Sequence, residues 1–518
     1  MARTDSPGQD KIRRDLVRTV IKEPLYSRIK ELENAAPVPS ELPVIIEVND
    51  EYYQGKLEAA TWLDRLVKEA GQSVGRPVSN AVTPIGSEQN PYYKVRLQPA
   101  VILELVEADY RRALGEQAAA LEREKATSDA TAKPARAPLQ LVRYLLIRRI
   151  WLDHELSPLI DRSVSTVKAD AARRAFLAEG KDIVWAVIDS GIDSKHLHFK
   201  SLHTLDVTLP LRHCDFTIPN GDGSESALVD GFGHGTHVAG IIAGGFEAAG
   251  GPGEAQRTRL AANQEIETFT EKVVAISGIA PSCKLVSMKV LDDLGKGEVS
   301  NIIAAIDRIQ TINDHGRNIK IHGVNLSVGY EFDPSWFACG QTPVCVEVDR
   351  LARSGVVVVI AAGNTGYGLL TANQRPTGAG MMLTINDPGN ADLPITVGST
   401  HRDAPHTYGV SYFSSKGPTG DGRMKPDVVA PGERILSCCT SAKAAGNALN
   451  EYIEDSGTSM AAPHVSGVIA AFLSIRREYV GRHEDVKRLF LSTATDLSRN
   501  PYFQGRGLID LMRAIQSV

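Results

Sequence analysis

Asp455-Ser456-Gly457-Thr458-Ser459-Met460-Ala461-Ala462-Pro463-His464-Val465-Ser466-Gly467 sets a serine among small residues, directly ahead of Val468, Ile469, Phe472 and Leu473. The pattern reads as a helix that begins at about Ser459. There, free backbone N–H groups and the helix dipole favour a developing negative charge. Pro463 belongs near a first turn, which fixes the same starting point. Gly457 lets another backbone come close, and Ala461 and Ala462 let the helix pack tightly. Taken alone, the stretch also fits a buried helix start. Ser459 becomes a nucleophile only if a base and an orienting acid lie elsewhere.

Upstream, residues 183–188 form a continuous apolar run, as a strand buried on both faces requires. Similar runs follow at 284–290, 322–327, 356–361 and 394–397, with helical stretches between several of them, such as 299–309 and 344–354. The alternation predicts an α/β domain with a mainly parallel sheet, whose active site gathers at the carboxyl ends of the strands. Asp189 directly follows the first run, although an isolated Asp-Ser-Gly also caps turns. His234 and His237 lie in Gly233-His234-Gly235-Thr236-His237. Their spacing, with no acidic third ligand, is a poor match to zinc patterns, whereas a base for Ser459 fits. Ser327, Val328 and Gly329 close one strand, and a glycine there leaves the backbone free to pair with an extended peptide. Ala361, Ala362, Gly363 and Asn364 close another. The Asn364 amide can cap a turn or, beside a serine nucleophile, stabilise an oxyanion together with the Ser459 N–H.

Asp189-Ser190-Gly191, the block from His234 to Gly240, Ala361-Ala362-Gly363-Asn364 and Gly457-Thr458-Ser459-Met460-Ala461-Ala462-Pro463-His464 resemble the subtilisin-like serine proteases, from about residue 163 to 518. The resemblance implies that Ser459 attacks the scissile carbonyl, that His234 moves the proton, and that Asp189 orients His234. It further implies that Asn364 donates to the oxyanion. Ser327, Val328 and Gly329 would line the substrate as an edge strand, with Ala361, Ala362 and Gly363 walling the first specificity pocket. Protein or peptide is then the substrate, and the chemistry requires no cofactor and no metal. The family often carries a structural calcium, but its usual loop is not recognisable here. A charged segment at 244–277 stands in that place and reads as a solvated helical insert. Asp292 and Asp293 read as turn residues.

Ahead of this lie a helical extension (1–40), an α+β domain (41–155) and a linker (156–180), with the peptidase domain at 181–518. The extension carries two short amphipathic helices, followed by a Pro37 and Pro39 linker. Strands are expected at 43–48, 92–97 and 142–151, and helices at 56–70, burying Leu57, Ala60, Leu63 and Val67, and at 99–121. Residues 127–138 read as a mobile loop. The domain resembles the ferredoxin-like propeptides of subtilisin-like zymogens. It would act as an intramolecular inhibitor, with self-cleavage between about Trp151 and Ser163; the alternative is a permanent regulatory or oligomerising domain.

The chain of 518 residues has net charge −5, which points to neither nucleic acid nor a membrane surface as partner. A polar N-terminus without an apolar core predicts a cytoplasmic protein. Six cysteines do not make a disulfide framework; a Cys339–Cys345 bridge and free thiols are both open. Two other classes are weighed against a protease. An esterase of the α/β-hydrolase type lacks the required G-x-S-x-G. An inert scaffold would not need all four catalytic positions filled.

Overall fold

The structure, a computed structural model, describes residues 17, 19–22, 25–33, 41–85, 91–127, 141–152, 162–218, 223–247, 253–260, 266–333, 335, 339–372, 375–440 and 450–518. Thr127 still belongs to a helix, and the rest of the proposed loop at 127–138, the Pro37 and Pro39 linker, most of the first amphipathic helix and nearly all of the expected cleavage segment lie outside these residues. The chain divides into two units, Met1–Leu156 and Ser157–Val518.

In the first unit, α1 (Leu25–Glu33) precedes β1 (Leu42–Val48), α2 (Lys56–Ser73), β2 (Thr83–Pro84), β3 (Tyr92–Leu97), α3 (Pro99–Thr127) and β4 (Ile147–Leu152). The sheet order β2-β3-β1-β4 is antiparallel throughout, which is the ferredoxin-like split βαβ arrangement. Two details differ from expectation. The α2 face is rotated, so that Ala59, Leu63, Leu66, Val67 and Ala70 are buried while Leu57 is 69% exposed. At about 100° per residue, Ala59, Leu66, Val67 and Ala70 lie within about 60° of Leu63, whereas Leu57 lies about 120° away from it. The segment expected as one strand from 142 is a 3₁₀ turn, Leu141–Tyr144, before β4 begins. The cause is Asp109 on α3. Its buried carboxylate accepts the Leu146 and Ile147 amides at 2.9–3.1 Å, bending the chain just ahead of the strand.

The second unit is built on seven parallel strands. In chain order they are β5 (Val184–Asp189), β6 (Cys214–Asp215), β9 (Lys284–Lys289), β10 (Gly323–Leu326), β11 (Val357–Ala361), β14 (Ile395–Thr400) and β15 (Val428–Pro431). Their order in the sheet is β15-β14-β11-β10-β5-β9-β6, and every adjacent pair is parallel. Helices α4 (His234–Ile242), α5 (Val299–Ile312), α6 (Pro343–Arg353) and α7 (Thr458–Ile475) flank it. Strand residues such as Trp185, Ala186, Val187 and Ile188 are buried because helices cover both faces of the sheet. α7 is apolar and long enough to span a bilayer by composition, but 83% of that window is buried within this unit, against β14, β11 and α4.

Two expectations fail here, each for a physical reason. The 156–180 linker contains helices Arg162–Thr166 and Ala169–Phe176, whose Val164, Val167, Ala169 and Ala172 join the core of the larger unit. The 244–277 insert is not helical. It forms the antiparallel hairpin β7 (Gly253–Leu260) and β8 (Ile266–Val273), closed by the cross-strand pair Arg259–Glu267 at 3.0 Å and the diagonal pair Arg257–Glu271 at 2.6 Å. All six cysteines are buried and none forms a disulfide, so of the two readings left open the thiols hold and the Cys339–Cys345 bridge does not. β12 (Tyr367–Ala372) and β13 (Arg375–Gly380) make a further hairpin just beyond Asn364. Asp292 does close a turn, accepting the Leu294 and Lys296 amides at 2.9 Å.

Buried histidines tie the stability of this unit to pH. Burial pushes His464 and His483 down to about 4, and His198 down to about 3, from the ordinary 6.5. Above pH 6.5 these rings are neutral in both folded and unfolded chains. As pH falls below 6.5 the unfolded chain takes up protons that the folded one refuses, so stability is lost progressively down to about pH 4. Each histidine contributes about 1.4 kcal/mol per pH unit in that window. The melting temperature of a Ser459→Ala protein should therefore drop steadily from pH 7 to pH 4.5; an unchanged or rising value would contradict these burial costs.

Candidate active site

Because all the strands of the main sheet run in parallel, their carboxyl ends share one edge, and the predicted residues collect there. Asp189 is the last residue of β5 and 1% exposed. Its Oδ1 accepts the Ser190 N–H at 2.8 Å and lies 2.7 Å from His234 Nδ1. A carboxylate can only accept, so the contact requires the Nδ1–H tautomer of the His234 ring.

Helix α4 is brought to this position by two devices. Gly235 packs so closely on β5 that a Cβ would meet the Gly191 carbonyl at 2.2 Å. Asp230, which sequence reasoning passed over, accepts from Gly233 N at 2.7 Å, Thr236 N at 2.8 Å, Thr236 Oγ1 at 2.6 Å and Ser190 Oγ at 2.9 Å. Ser190 Oγ in turn accepts the Gly235 N–H at 2.9 Å. The strand end and the helix start are thus pinned to a single carboxylate. Burial pushes the Asp230 carboxyl up, while its four donors oppose that. An acid just ahead of Gly-His-Gly-Thr at a helix start is a readable cap signal.

Ser459 is the second residue of α7 and the one residue between Gly457 and Leu473 that is not buried. Its N–H has no acceptor among the described residues. Its Oγ donates to the Ser327 carbonyl at 3.0 Å, and Ser327 Oγ donates back to the Ser459 carbonyl at 3.0 Å. The second bond depends on Pro463, four residues on, which has no N–H to claim that carbonyl. Pro463 therefore sits inside α7 rather than in its first turn. Asn325 Nδ2 holds Ser327 Oγ at 2.9 Å, and Ser466 Oγ holds Asn325 Oδ1 at 2.9 Å. This buried polar strut ties β10 to α7.

Asn364 follows β11. Its Oδ1 accepts Thr458 N at 2.9 Å and Thr458 Oγ1 at 3.1 Å, which commits the oxygen and leaves the Nδ2 edge for the surface. Thr458 Oγ1 also accepts the Gly363 N–H at 3.1 Å. Sequence reasoning quoted Thr458 without a role, yet it couples Asn364 to the residue before the serine. Backbone groups of Ala362 and Gly363 are taken by Val397, Asn386 and Ser415, so this segment can form a wall but has few free hydrogen-bonding groups. Gly329 packs against the Asp387 carbonyl, beside the antiparallel bridge of Tyr330 to Asp387. Ser327, Val328 and Gly329 thus follow β10 without being strand themselves.

The chain is similar to known proteins over the same region. A family model described as the Subtilase family matches residues 180–507. The chain belongs to the subtilase family, the subtilisin-like serine endopeptidases. It is 31% identical to subtilisin E of Bacillus subtilis over 363 residues, covering 70% of this chain and 73% of that protein. Serine protease AprX of Bacillus subtilis is 25% identical over 387 residues, covering 71% and 74%. Pyrolysin of Pyrococcus furiosus is 32% identical over 330 residues, which make up 57% of this chain but only 22% of pyrolysin's length. This subtilase shows no group of three or more His, Cys, Asp or Glu able to hold a metal ion among its described residues. Catalysis in the family needs no cofactor.

Where many subtilases carry a calcium loop, the inserted hairpin joins the edge of a second sheet. β7 pairs in parallel with β17 (Asn450–Asp455), which is antiparallel to β16 (Ile435–Cys438). Glu454, on the strand leading into Ser459, receives Arg402 at 2.6 Å, Arg257 of the hairpin at 3.1 Å and Arg434 at 3.2 Å, besides Thr258 N at 3.0 Å. Burial alone would raise the Glu454 carboxyl; Thr258 and the arginines outweigh it and hold the group below its ordinary range. No local motif announces this hub, since its partners lie far apart in sequence.

Proposed function

We propose that the chain hydrolyses peptide bonds through an acyl-enzyme formed on Ser459. The observation that carries this reading is the 2.7 Å contact between buried Asp189 and His234 Nδ1, at the sheet edge where α7 exposes Ser459. The proposed attack requires Ser459 Oγ to leave the Ser327 carbonyl and donate to His234 Nε2; a change between staggered rotamers is small on the scale of a catalytic barrier. His234 then accepts the hydroxyl proton as Oγ bonds to the carbonyl carbon, and returns it to the departing amine. Water repeats the cycle and frees the acid. Asp189 keeps the imidazole in the required tautomer and balances its transient charge. The Asn364 Nδ2 and the Ser459 N–H receive the oxyanion. Ser327, Val328 and Gly329 guide the acyl side of the substrate, and Ala361, Ala362 and Gly363 wall its pocket.

A serine-reactive phosphonate should label Ser459 and stop casein hydrolysis; undiminished cleavage by Ser459→Ala protein would sink the assignment. Replacing Asn364 with leucine should lower kcat by about 10^2 to 10^3 with little change in KM, a magnitude known from subtilisin itself. A purely structural role would instead lower the melting temperature and raise KM.

The first unit is read as a propeptide-like inhibitor, supported by its ferredoxin-like topology. Intact mass and N-terminal sequencing should show wild-type protein cut between about Trp151 and Ser163 and Ser459→Ala protein uncut. A fully active, uncut wild type would refute the inhibitor and leave the protease standing.

A further inference from the structure

Beside Asn364 the surface opens into a groove of about 440 Å³, lined by Asn364, Tyr412, Phe413, Glu433, Arg434 and Ser456. Two opposite charges line it, and they are not equivalent. The Arg434 guanidinium is already engaged: Nε and Nη2 donate to Glu454 at 3.3 and 3.2 Å, and Nη2 also meets the Thr258 carbonyl of the inserted hairpin. The other two arginines on Glu454, Arg257 and Arg402, are largely buried and do not line the groove. Glu433, by contrast, has no hydrogen bond or ion pair with any described residue. A partly buried carboxylate without a partner is the group in this groove that gains most from an incoming cation.

The position of Glu433 is built rather than incidental. Gly432 N donates to the Thr400 carbonyl at 3.0 Å, Gly457 N to the Gly432 carbonyl at 2.9 Å, and Arg434 N to Ser456 Oγ at 2.9 Å. Arg434 is held at φ 52°, a left-handed conformation that side-chain-bearing residues adopt only when their surroundings impose it. The turn that carries Glu433 is therefore tied to Ser456 and Gly457, immediately before Thr458 and Ser459. Tyr412, 69% exposed, makes T-shaped contacts with Tyr367 and Phe413, ring centroids 5.6 and 5.4 Å apart, so the groove also offers aromatic surface to a cation.

The residues assigned above to the acyl side of the substrate are Ser327, Val328, Gly329, Ala361, Ala362 and Gly363. The groove shares none of them, yet includes the oxyanion donor Asn364. The part of the substrate left for it is the segment after the scissile bond. We propose that this groove receives the first or second residue on the leaving-group side, and that Glu433 selects lysine or arginine there. The inference rests on the serine endopeptidase reading and deepens it.

The test uses full-chain protein and internally quenched peptides. These share one acyl-side sequence and carry Lys, Gln or Glu at the first and second positions after the cleaved bond. Rates are divided by the concentration of phosphonate-titratable serine, which separates folding or processing defects from specificity. The Lys peptide should be cleaved with kcat/KM about threefold to tenfold above the Gln peptide, and the Glu peptide should be slowest, as expected of one partly exposed ion pair. In Glu433→Gln protein the Lys-to-Gln ratio should collapse toward one, and in Glu433→Lys protein the order should reverse. A charge preference that survives Glu433→Gln, or that appears only before the scissile bond, overturns the proposal. Equal cleavage of all three peptides also overturns it while leaving the proposed function intact; cleavage of none overturns both.

Discussion

Replacing His234 by alanine should lower kcat by about 10^6, Ser459→Ala should do the same, and the double variant should be no slower than either alone. That magnitude is the one known for subtilisin rather than one obtained from these distances, and it corresponds to about 8 kcal/mol of transition-state stabilisation. Near-complete non-additivity is the informative part. The hydroxyl of Ser459 is a poor nucleophile until a base takes its proton, and His234 has nothing to deprotonate once Ser459 is gone. Each residue acts through the other, so the second loss should find nothing left to remove. What remains in all three variants is the contribution of the Asn364 amide, the backbone N–H at the start of α7, which the alanine substitution keeps, and the binding groove. Single-turnover rates on a peptide anilide provide the measurement. Independent, additive losses, or a His234→Ala protein within a hundredfold of wild type, would show that His234 is not the base.

Asp189→Asn should be the next most damaging change, at about 10^4 in kcat, the cost seen for the same substitution in a triad on another fold. The side chain barely changes in size and is buried at the end of β5, so the protein should still fold. Two things are lost. The neutral amide no longer stabilises the charged imidazole, and an NH2 group turned toward Nδ1 would force the proton onto Nε2, where the ring must instead accept one. Asp189 Oδ1 also accepts the Ser190 N–H, and Oδ2 has no partner among the described residues, so nothing nearby replaces the missing charge. KM should move little, because Asp189 does not reach the substrate. A loss below tenfold, with the active-site titre intact, would make Asp189 a turn cap and nothing more.

The parallel sheet was legible because each strand is an unbroken apolar run, and because the residues proposed for the site are the ones that break or follow those runs. Asp189 stops β5, Ser327 follows β10, and Asn364 comes shortly after β11. Ser459 was legible only together with them: a hydroxyl among small residues also fits a buried helix start, and Asp189, His234 and Asn364 decide between the two. The inserted hairpin was not legible. Its mixture of Arg, Glu, Thr and Ala suits a solvated helix as well as a strand, and only the edge of β17 decides between them. Glu454 was hidden for the same cause, since Arg257, Arg402 and Arg434 reach it from three separate segments. Pro463 was misplaced because the bond it frees is taken up by Ser327, a partner 136 positions away. Asp230, in contrast, could have been found from helix-capping logic alone.

The parallel pairing of β7 with β17 also bears on how the molecule comes into being. Glu254 meets Asn450 across nearly two hundred residues of intervening chain, which carries five of the seven strands of the central sheet. Ends so distant pair readily only after the chain between them has condensed, since closing so long a loop is entropically costly and contacts of this range form slowly. The strand that leads into Ser459 is therefore expected to be among the last parts of the chain to settle. During synthesis and folding, neighbouring chains would meet a body whose sheet is complete but whose cutting edge is still unformed. On that order the insert would act as a timer on the proposed activity, holding it back until little remains unfolded to be cut.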